Sequence, residues 1–220
     1  MTAPHRPLPD HSNALAQYRR RAGFYDLELA LFEPVRRDAI DRLALRRGDV
    51  VLDVGCGTGL SLPLLEQGIG ATGRIVGIEQ CPEMIEKARA RVVQHGWHNV
   101  GLLNASADAA RIVGKADAAM FHFTHDILRD PRALAHVVRH LRPGARVVAS
   151  GLQWASPWLW PVNLFVLGAA LHSVSSLDGL GSPWSHLAAC VNDLRVDTTM
   201  VGAVYIASGT IRRHPTTNPH

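Results

Sequence analysis

Val50-Val51-Leu52-Asp53-Val54-Gly55-Cys56-Gly57-Thr58-Gly59 decides the reading of this chain. A short β-branched strand runs into a turn whose glycines recur at every second position. Glycine lets a backbone turn sharply and approach a ligand with no Cβ in the way. A second apolar strand, Arg74-Ile75-Val76-Gly77-Ile78, ends in Glu79. A carboxylate there can accept two hydrogen bonds from the hydroxyls of a ribose. The arrangement is that of a nucleoside site at the C-terminal edge of a parallel sheet. The spacing is G-x-G-x-G and not the G-x-G-x-x-G of the dinucleotide fingerprint, which favours a cofactor with no pyrophosphate to hold.

Working outward, Pro82 stands where a helix start tolerates it, and Met84, Ile85, Ala88 and Val92 follow at helical spacing. The pattern predicts strands near 50–54, 74–79, 99–103, 116–121 and 146–150. Helices are predicted near 58–67, 82–95 and 131–141, with a turn at Gly114. Upstream, Ser12 or Asn13 can cap a helix to about Arg21. Residues 24–45 read as helical, with Pro34 breaking the helix or starting a second one. Strands alternating with helices of these lengths predict a doubly wound α/β fold with a mainly parallel sheet.

The segments VLDVGCGTG and IVGIEQCPEMIEKARARV resemble the first two motifs of class I S-adenosylmethionine-dependent methyltransferases. Leu141-Arg142-Pro143-Gly144 and the strand Ala145–Ser150 resemble that family's fifth-strand segment, and Gly202–Ala207 its last strand. The similarity covers 48–151 well and 183–208 loosely. It implies one Rossmann-like methyltransferase domain over 1–220, with a seven-stranded sheet and a final antiparallel strand near Val201–Ala207. Residues 1–47 would be an N-terminal arm and helices, 152–182 an apolar acceptor or lid segment, and 209–220 a polar tail.

The resemblance also implies S-adenosylmethionine as cofactor and places its contacts. Gly55, Cys56, Gly57 and Gly59 would lie under the methionine end. Asp53 would position the amino-acid moiety directly or through water, or else only hold loop amides. Glu79 would take the ribose diol, unless it is an ordinary exposed glutamate, and Gln80 would edge the adenine. Ser106 and Ala107, with the neighbouring backbone, would read the ring, because Ala105 occupies the usual acidic position and cannot accept a hydrogen bond. Phe121 closes strand four beside the cofactor. Tyr25, in a Tyr-Asp pair, would close over the cofactor carboxylate or serve as a packing residue.

Strand four runs into Phe121-His122-Phe123-Thr124-His125-Asp126, the edge where a methyl group meets its acceptor. Methyl transfer from a sulfonium needs the acceptor aligned and desolvated more than it needs a strong base. Where the acceptor carries a proton, histidine is tuned to take it near neutral pH. His122, His125 and Asp126 are therefore the catalytic candidates, with a rim or capping role as the alternative.

Residues 147–177 contain no Asp, Glu, Lys or Arg, and four of the five tryptophans lie between Trp154 and Trp184. This run is too short and interrupted to span a bilayer. It reads either as a buried helix completing the core or as an apolar acceptor pocket and lid built on Trp154, Trp158 and Phe165. A peripheral contact with a bilayer belongs to the second reading.

Composition bounds the remainder. The chain has 220 residues, 47% hydrophobic and 19% charged, enough for one folded domain. Its net charge of +4 comes with arginine clusters at 19–21, 36–37 and 46–47. These are solvated helix faces or a surface for anionic lipid. No basic and aromatic pattern for nucleic acid is present. Cys56, Cys81 and Cys190 lie far apart, the twelve histidines lack metal-site spacing, and Met1–Asp10 lacks the apolar core of a signal peptide. No metal is expected, and a reduced cytoplasmic compartment fits. The expected function is methyl transfer to a small, hydrophobic or lipid-like acceptor. The alternative is phospholipid headgroup N-methylation at a membrane surface. A nicotinamide oxidoreductase or a non-catalytic cofactor-binding protein is more remote.

Overall fold

The computed structural model describes residues 29–173 and 177–212. The expected Ser12–Arg21 helix and Tyr25 lie outside the described residues. A 3₁₀ turn, Leu29–Phe32, leads into helix α1, Glu33–Arg42, with Pro34 in its first turn, where a missing N–H costs nothing. There follow β1 Val50–Val54, α2 Leu62–Ile69, β2 Arg74–Glu79, α3 Pro82–His95, β3 Val100–Asn104 and β4 Ala116–His122. Then come α4 His125–Arg129, α5 Pro131–Arg139, β5 Leu141–Leu152, α6 Trp160–Ser173, α7 Ser185–Ala188, β6 Val191–Thr199 and β7 Val204–Ile211.

The strands form one seven-stranded sheet in the order β3-β2-β1-β4-β5-β7-β6. The first five are parallel, and β7 runs antiparallel between β5 and β6. The doubly wound sheet with an inserted antiparallel strand is as expected. That strand starts at Val204 rather than Val201, because Met200–Gly202 forms a 3₁₀ turn with positive φ at all three residues. Helix α2 starts at Leu62 rather than Thr58. The intervening loop is wound by left-handed glycines and closed by Gly59 N–H to Cys56 O at 2.9 Å. β6 is polar and exposed along most of its length, so its sequence lacks the apolar signal of a core strand.

Alternation along the strands divides the core in two. Leu52, Val54, Ala119, Phe121, Val147, Ala149 and Tyr205 pack on α5 and α7. Val51, Met120, Val148 and Ile206 pack on α1, α2 and α6. The same alternation puts Asp53, His122 and Ser150 on the α1 side of the sheet. His122 and Ser150 are register partners across β4 and β5. A polar patch thus sits beneath α1 at the C-terminal edge of the parallel strands.

The segment after β5 is helical, but it does not build the expected pocket. Val166 and Ala170 seat α6 on the core, whereas Trp160, Leu164, Phe165 and Leu171 on its other face are exposed. No helix among the described residues is long and apolar enough to cross a membrane.

Candidate functional site

The glycine loop is tied to the end of β2. Gly55 N–H and Cys56 N–H both donate to Ile78 O, at 2.8 and 3.0 Å. Gly55, Gly57 and Gly59 all have positive φ, between +56° and +80°. A Cβ on Gly55 would lie 2.3 Å from Thr124 Cγ2, so the loop needs glycine there both for φ and for room. Gly59 has a different role from the one expected of it. Its open side meets Leu62 and Ala88, and it packs the loop onto helices rather than lining the groove.

Glu79 ends β2 as a fixed, half-buried carboxylate. Its Oε2 accepts from Gly57 N–H at 3.0 Å and its Oε1 from Cys81 N–H at 2.7 Å. Each oxygen keeps a second lone pair for a ligand hydroxyl. Burial pushes its pKa up, and the loop N–H groups oppose that shift.

Two adjoining cavities make one groove. The larger, about 630 Å³ with its open mouth, is lined by Ile78, Glu79, Gln80, Ala105, Ala107 and the 122–127 segment. The smaller, about 320 Å³, is lined by Arg36, Asp53, Cys56, Gly57, Ser61 and their neighbours. Gly55 and His122 belong to both, so they mark the junction.

Arg36, on α1, has no sequence signature and is a functional candidate that sequence reasoning missed. It is 2% exposed and pairs with Glu33 through Nη1. Its Nε and Nη2 are buried with no partner among the described residues. Those two N–H groups form the side-on edge of the guanidinium, the fork that binds a carboxylate with two parallel hydrogen bonds. Asp53 lines the same cavity, 1% exposed, with Oδ2 also buried and unpartnered. Burial raises its pKa to about 7, against the pull of Arg36. A guanidinium fork and a carboxylate oxygen side by side in one cavity complement an α-amino acid zwitterion. The only advance signal was an arginine on the same helix as a core-facing Val35 and Ala39.

The β4–α4 turn forms the far wall. Phe123 has φ +56° and is held by ring contact with Phe32 at 4.6 Å. His122 Nδ1 lies 2.7 Å from Ser150 Oγ, and its Nε2 is buried without a partner among the described residues. Burial, then Arg36, depresses its pKa to about 3. His125 donates from Nε2 to Asp178 O at 3.1 Å, leaving Nδ1 buried and unpartnered. Burial lowers its pKa as well. Thr124 Oγ1 is a third unpartnered buried atom, and Asp126 lines the same cavity.

Several expected contacts fall elsewhere. Phe121 is fully buried in the core, because it neighbours His122 on a strand and therefore faces the opposite side. Ser106 is absent from the groove lining, although Ala105 and Ala107 flank it there. Trp154 packs against the α6-side core, while Trp158 is 77% exposed and Phe165 48% exposed. These three do not converge on the groove, because α6 docks through Val166 and Ala170. Among the described residues, no three His, Cys, Asp or Glu side chains are grouped to hold a metal ion.

Residues 51–144 match the family described as a methyltransferase domain. That segment is under half of the chain, and over it the chain is similar to methyltransferase domains. Nocamycin O-methyltransferase of Saccharothrix syringae is 32% identical over 137 residues, 61% of this chain and 49% of that protein. An uncharacterized 37.1 kDa protein in transposon TN4556 of Streptomyces fradiae is 36% identical, over 53% of this chain and 34% of its own length. The chain thus spans half or less of these two curated relatives. Among solved structures, N-methyltransferase NodS of Bradyrhizobium japonicum, in complex with S-adenosyl-L-homocysteine, matches with a TM-score of 0.68. The match covers 92% of this chain and all of that one at 16% identity, a likeness of fold.

Proposed function

We propose that the chain transfers a methyl group from S-adenosylmethionine, by in-line displacement, to a small, hydrophobic or lipid-like acceptor. The observation that carries this reading is the placement of complementary charged groups along one groove. Arg36 and Asp53 stand at one end, the fixed Glu79 carboxylate at the other, and Gly55 with His122 between them. A molecule with a zwitterionic head and a ribose tail satisfies both ends.

When bound, S-adenosylmethionine supplies an electrophilic methyl group on a sulfonium. Arg36 would bind its carboxylate, Asp53 its ammonium, and Glu79 the ribose diol. Ile78, Ala105 and Ala107 would flank the base, with Gln80 at its edge. His122, uncharged at neutral pH, avoids placing a cation beside the sulfonium. Holding acceptor and methyl donor in line in a shielded groove supplies most of the acceleration such a reaction needs. Nocamycin O-methyltransferase supports a small-molecule acceptor.

Calorimetric titration with S-adenosylmethionine, S-adenosylhomocysteine and NAD tests the assignment. Micromolar binding of the first two without NAD is expected. Binding of NAD alone would overturn it.

A second reading, action on a lipid at a membrane surface, draws on α6. Trp158, Trp160, Leu164, Phe165 and Leu171 are exposed in a segment free of charged residues. Exposed tryptophan beside uncharged apolar side chains suits the headgroup–hydrocarbon boundary. Co-sedimentation with phosphatidylcholine vesicles, lost in Trp158→Ser/Trp160→Ser, is the expected result. No sedimentation of the wild type would remove this reading.

A further inference from the structure

The methyltransferase reading leaves open which atom of the acceptor takes the methyl group. The wall opposite the glycine loop bears on that question. Three buried polar atoms with no partner among the described residues lie on one four-residue stretch: His122 Nε2, Thr124 Oγ1 and His125 Nδ1. All three residues line the larger cavity with Glu79. Buried polar atoms are rarely left unpaired, so three together mark a place for a polar ligand group.

Their hydrogen-bonding characters differ. The Asp178 carbonyl can only accept, so His125 carries its proton on Nε2 and presents a lone pair at Nδ1. Ser150 Oγ lies beside His122 Nδ1 and has no other acceptor for its proton among the described residues. Donation from Ser150 to Nδ1 makes His122 Nε2–H a donor. Thr124 can act either way. One stretch therefore offers a proton acceptor, a donor and a hydroxyl.

We propose that His125 is the general base of the reaction and that the acceptor group is a phenol- or enol-type hydroxyl, bound by Thr124 and His122. This rests on the methyltransferase reading. The geometry is that of a base oriented by a third group: Asp178 O fixes the imidazole tautomer from 53 positions away in the chain. Asp126, on the same helix, favours the imidazolium that forms, and Arg129 opposes it. His122 and Glu79 line the same cavity as His125. The hydroxyl proton passes to Nδ1 as an oxygen lone pair forms the O–CH₃ bond. The S–CH₃ bonding pair stays on sulfur, giving a methyl ether and a thioether. The imidazolium then releases its proton to water.

The chemistry of the base selects the acceptor. A shielded neutral imidazole takes the proton of a phenol or enol far more readily than that of an aliphatic alcohol. An uncharged amine attacks through its own lone pair and needs no base before the bond forms. A phenol or enol is acidic enough for this base and still protonated when it arrives.

The test uses the full chain, labelled S-adenosylmethionine, and a panel of phenol, 4-cyanophenol, 4-nitrophenol and aniline. Methylation of the phenols on oxygen, and none of aniline, is expected. His125→Ala should lower kcat for phenol by about 100-fold, the scale of general-base catalysis. The loss should shrink towards none for 4-nitrophenol, which is largely ionised in solution. S-adenosylhomocysteine affinity should not change. An equal loss for every phenol, methylation of aniline, or no turnover of any phenol would overturn the proposal. Failure of the wild type to bind S-adenosylhomocysteine would instead strike the methyltransferase reading. Nitrogen NMR of ring-labelled histidine in the wild type gives a readout independent of turnover and of the variant's folding. The Nε2–H tautomer of His125 is expected, and Nδ1–H would contradict the assignment.

Discussion

The two walls of the groove are built on different rules. On the β1–β2 wall, the glycine loop and Glu79 satisfy each other: backbone N–H groups of Gly57 and Cys81 hold the carboxylate before any ligand arrives. On the β4–α4 wall, and beneath α1, polar atoms are left buried without partners, and a left-handed Phe123 turns the chain between two of them. The first wall is a preorganised socket whose geometry is local. The second is assembled from distant parts, with Ser150, Asp178 and Arg36 brought in from other elements. A ligand completes it. On the proposed reading, the first wall would fix where the adenosine sits, and the second would select what is brought to it.

The largest expected effect comes where the two walls touch. Gly55→Val adds a side chain 2.3 Å from Thr124 Cγ2 on a backbone at φ +73°. Left-handed strain of about 1–2 kcal/mol and overpacking of about 1–3 kcal/mol should both appear in denaturant unfolding. An unaltered midpoint would mean that the walls are not packed against each other. Next, Glu79→Ala should cost about 1–3 kcal/mol in S-adenosylhomocysteine affinity, the range for losing a charged hydrogen-bond partner. An unchanged dissociation constant would detach Glu79 from the ribose.

The unpaired wall makes a prediction about pH. Asp53 holds its proton up to about pH 7 in the free protein, chiefly because it is buried. Pairing with an ammonium requires the ionised form, so binding below that pH must expel a proton. Affinity for S-adenosylhomocysteine should therefore fall as pH drops from about 7, by at most about tenfold per unit. His122, with its pKa near 3, contributes nothing in this window. Asp53→Asn should flatten the profile. Calorimetry in buffers of different ionisation enthalpy counts the protons, and a count of zero at pH 6 would deny the pairing. The smallest effect is expected on the outer face of α6. Trp158→Ser should change stability by no more than about 0.5 kcal/mol, as for surface sites generally. A larger loss would mean that this face is covered in solution.

The same contrast explains what could be read from the sequence. The five parallel strands, the glycine turn and Glu79 were legible because their signals are short-range: β-branched runs, glycine spacing and a carboxylate closing a strand. Arg36 was not legible, because nothing in Glu33-Pro34-Val35-Arg36-Arg37 tells which arginine faces the sheet. Phe121 was misplaced by one step of a two-residue period, and His122 takes the groove instead. Trp154, Trp158 and Phe165 were grouped by composition. A helix apolar on every side does not announce which face it buries, and here the smaller Val166 and Ala170 were chosen. The tie between His125 and Asp178 joins residues far apart in the chain and leaves no local trace.

The central claim is that the groove recognises a zwitterion at one end and a nucleoside at the other. Titrating wild type and Arg36→Met with S-adenosylhomocysteine and with adenosine tests it most directly. Removing the fork should weaken S-adenosylhomocysteine binding by about 1.5–3 kcal/mol, the worth of hydrogen bonds to a charged group, and leave adenosine binding unchanged. Equal weakening of both ligands, or of neither, would contradict the account.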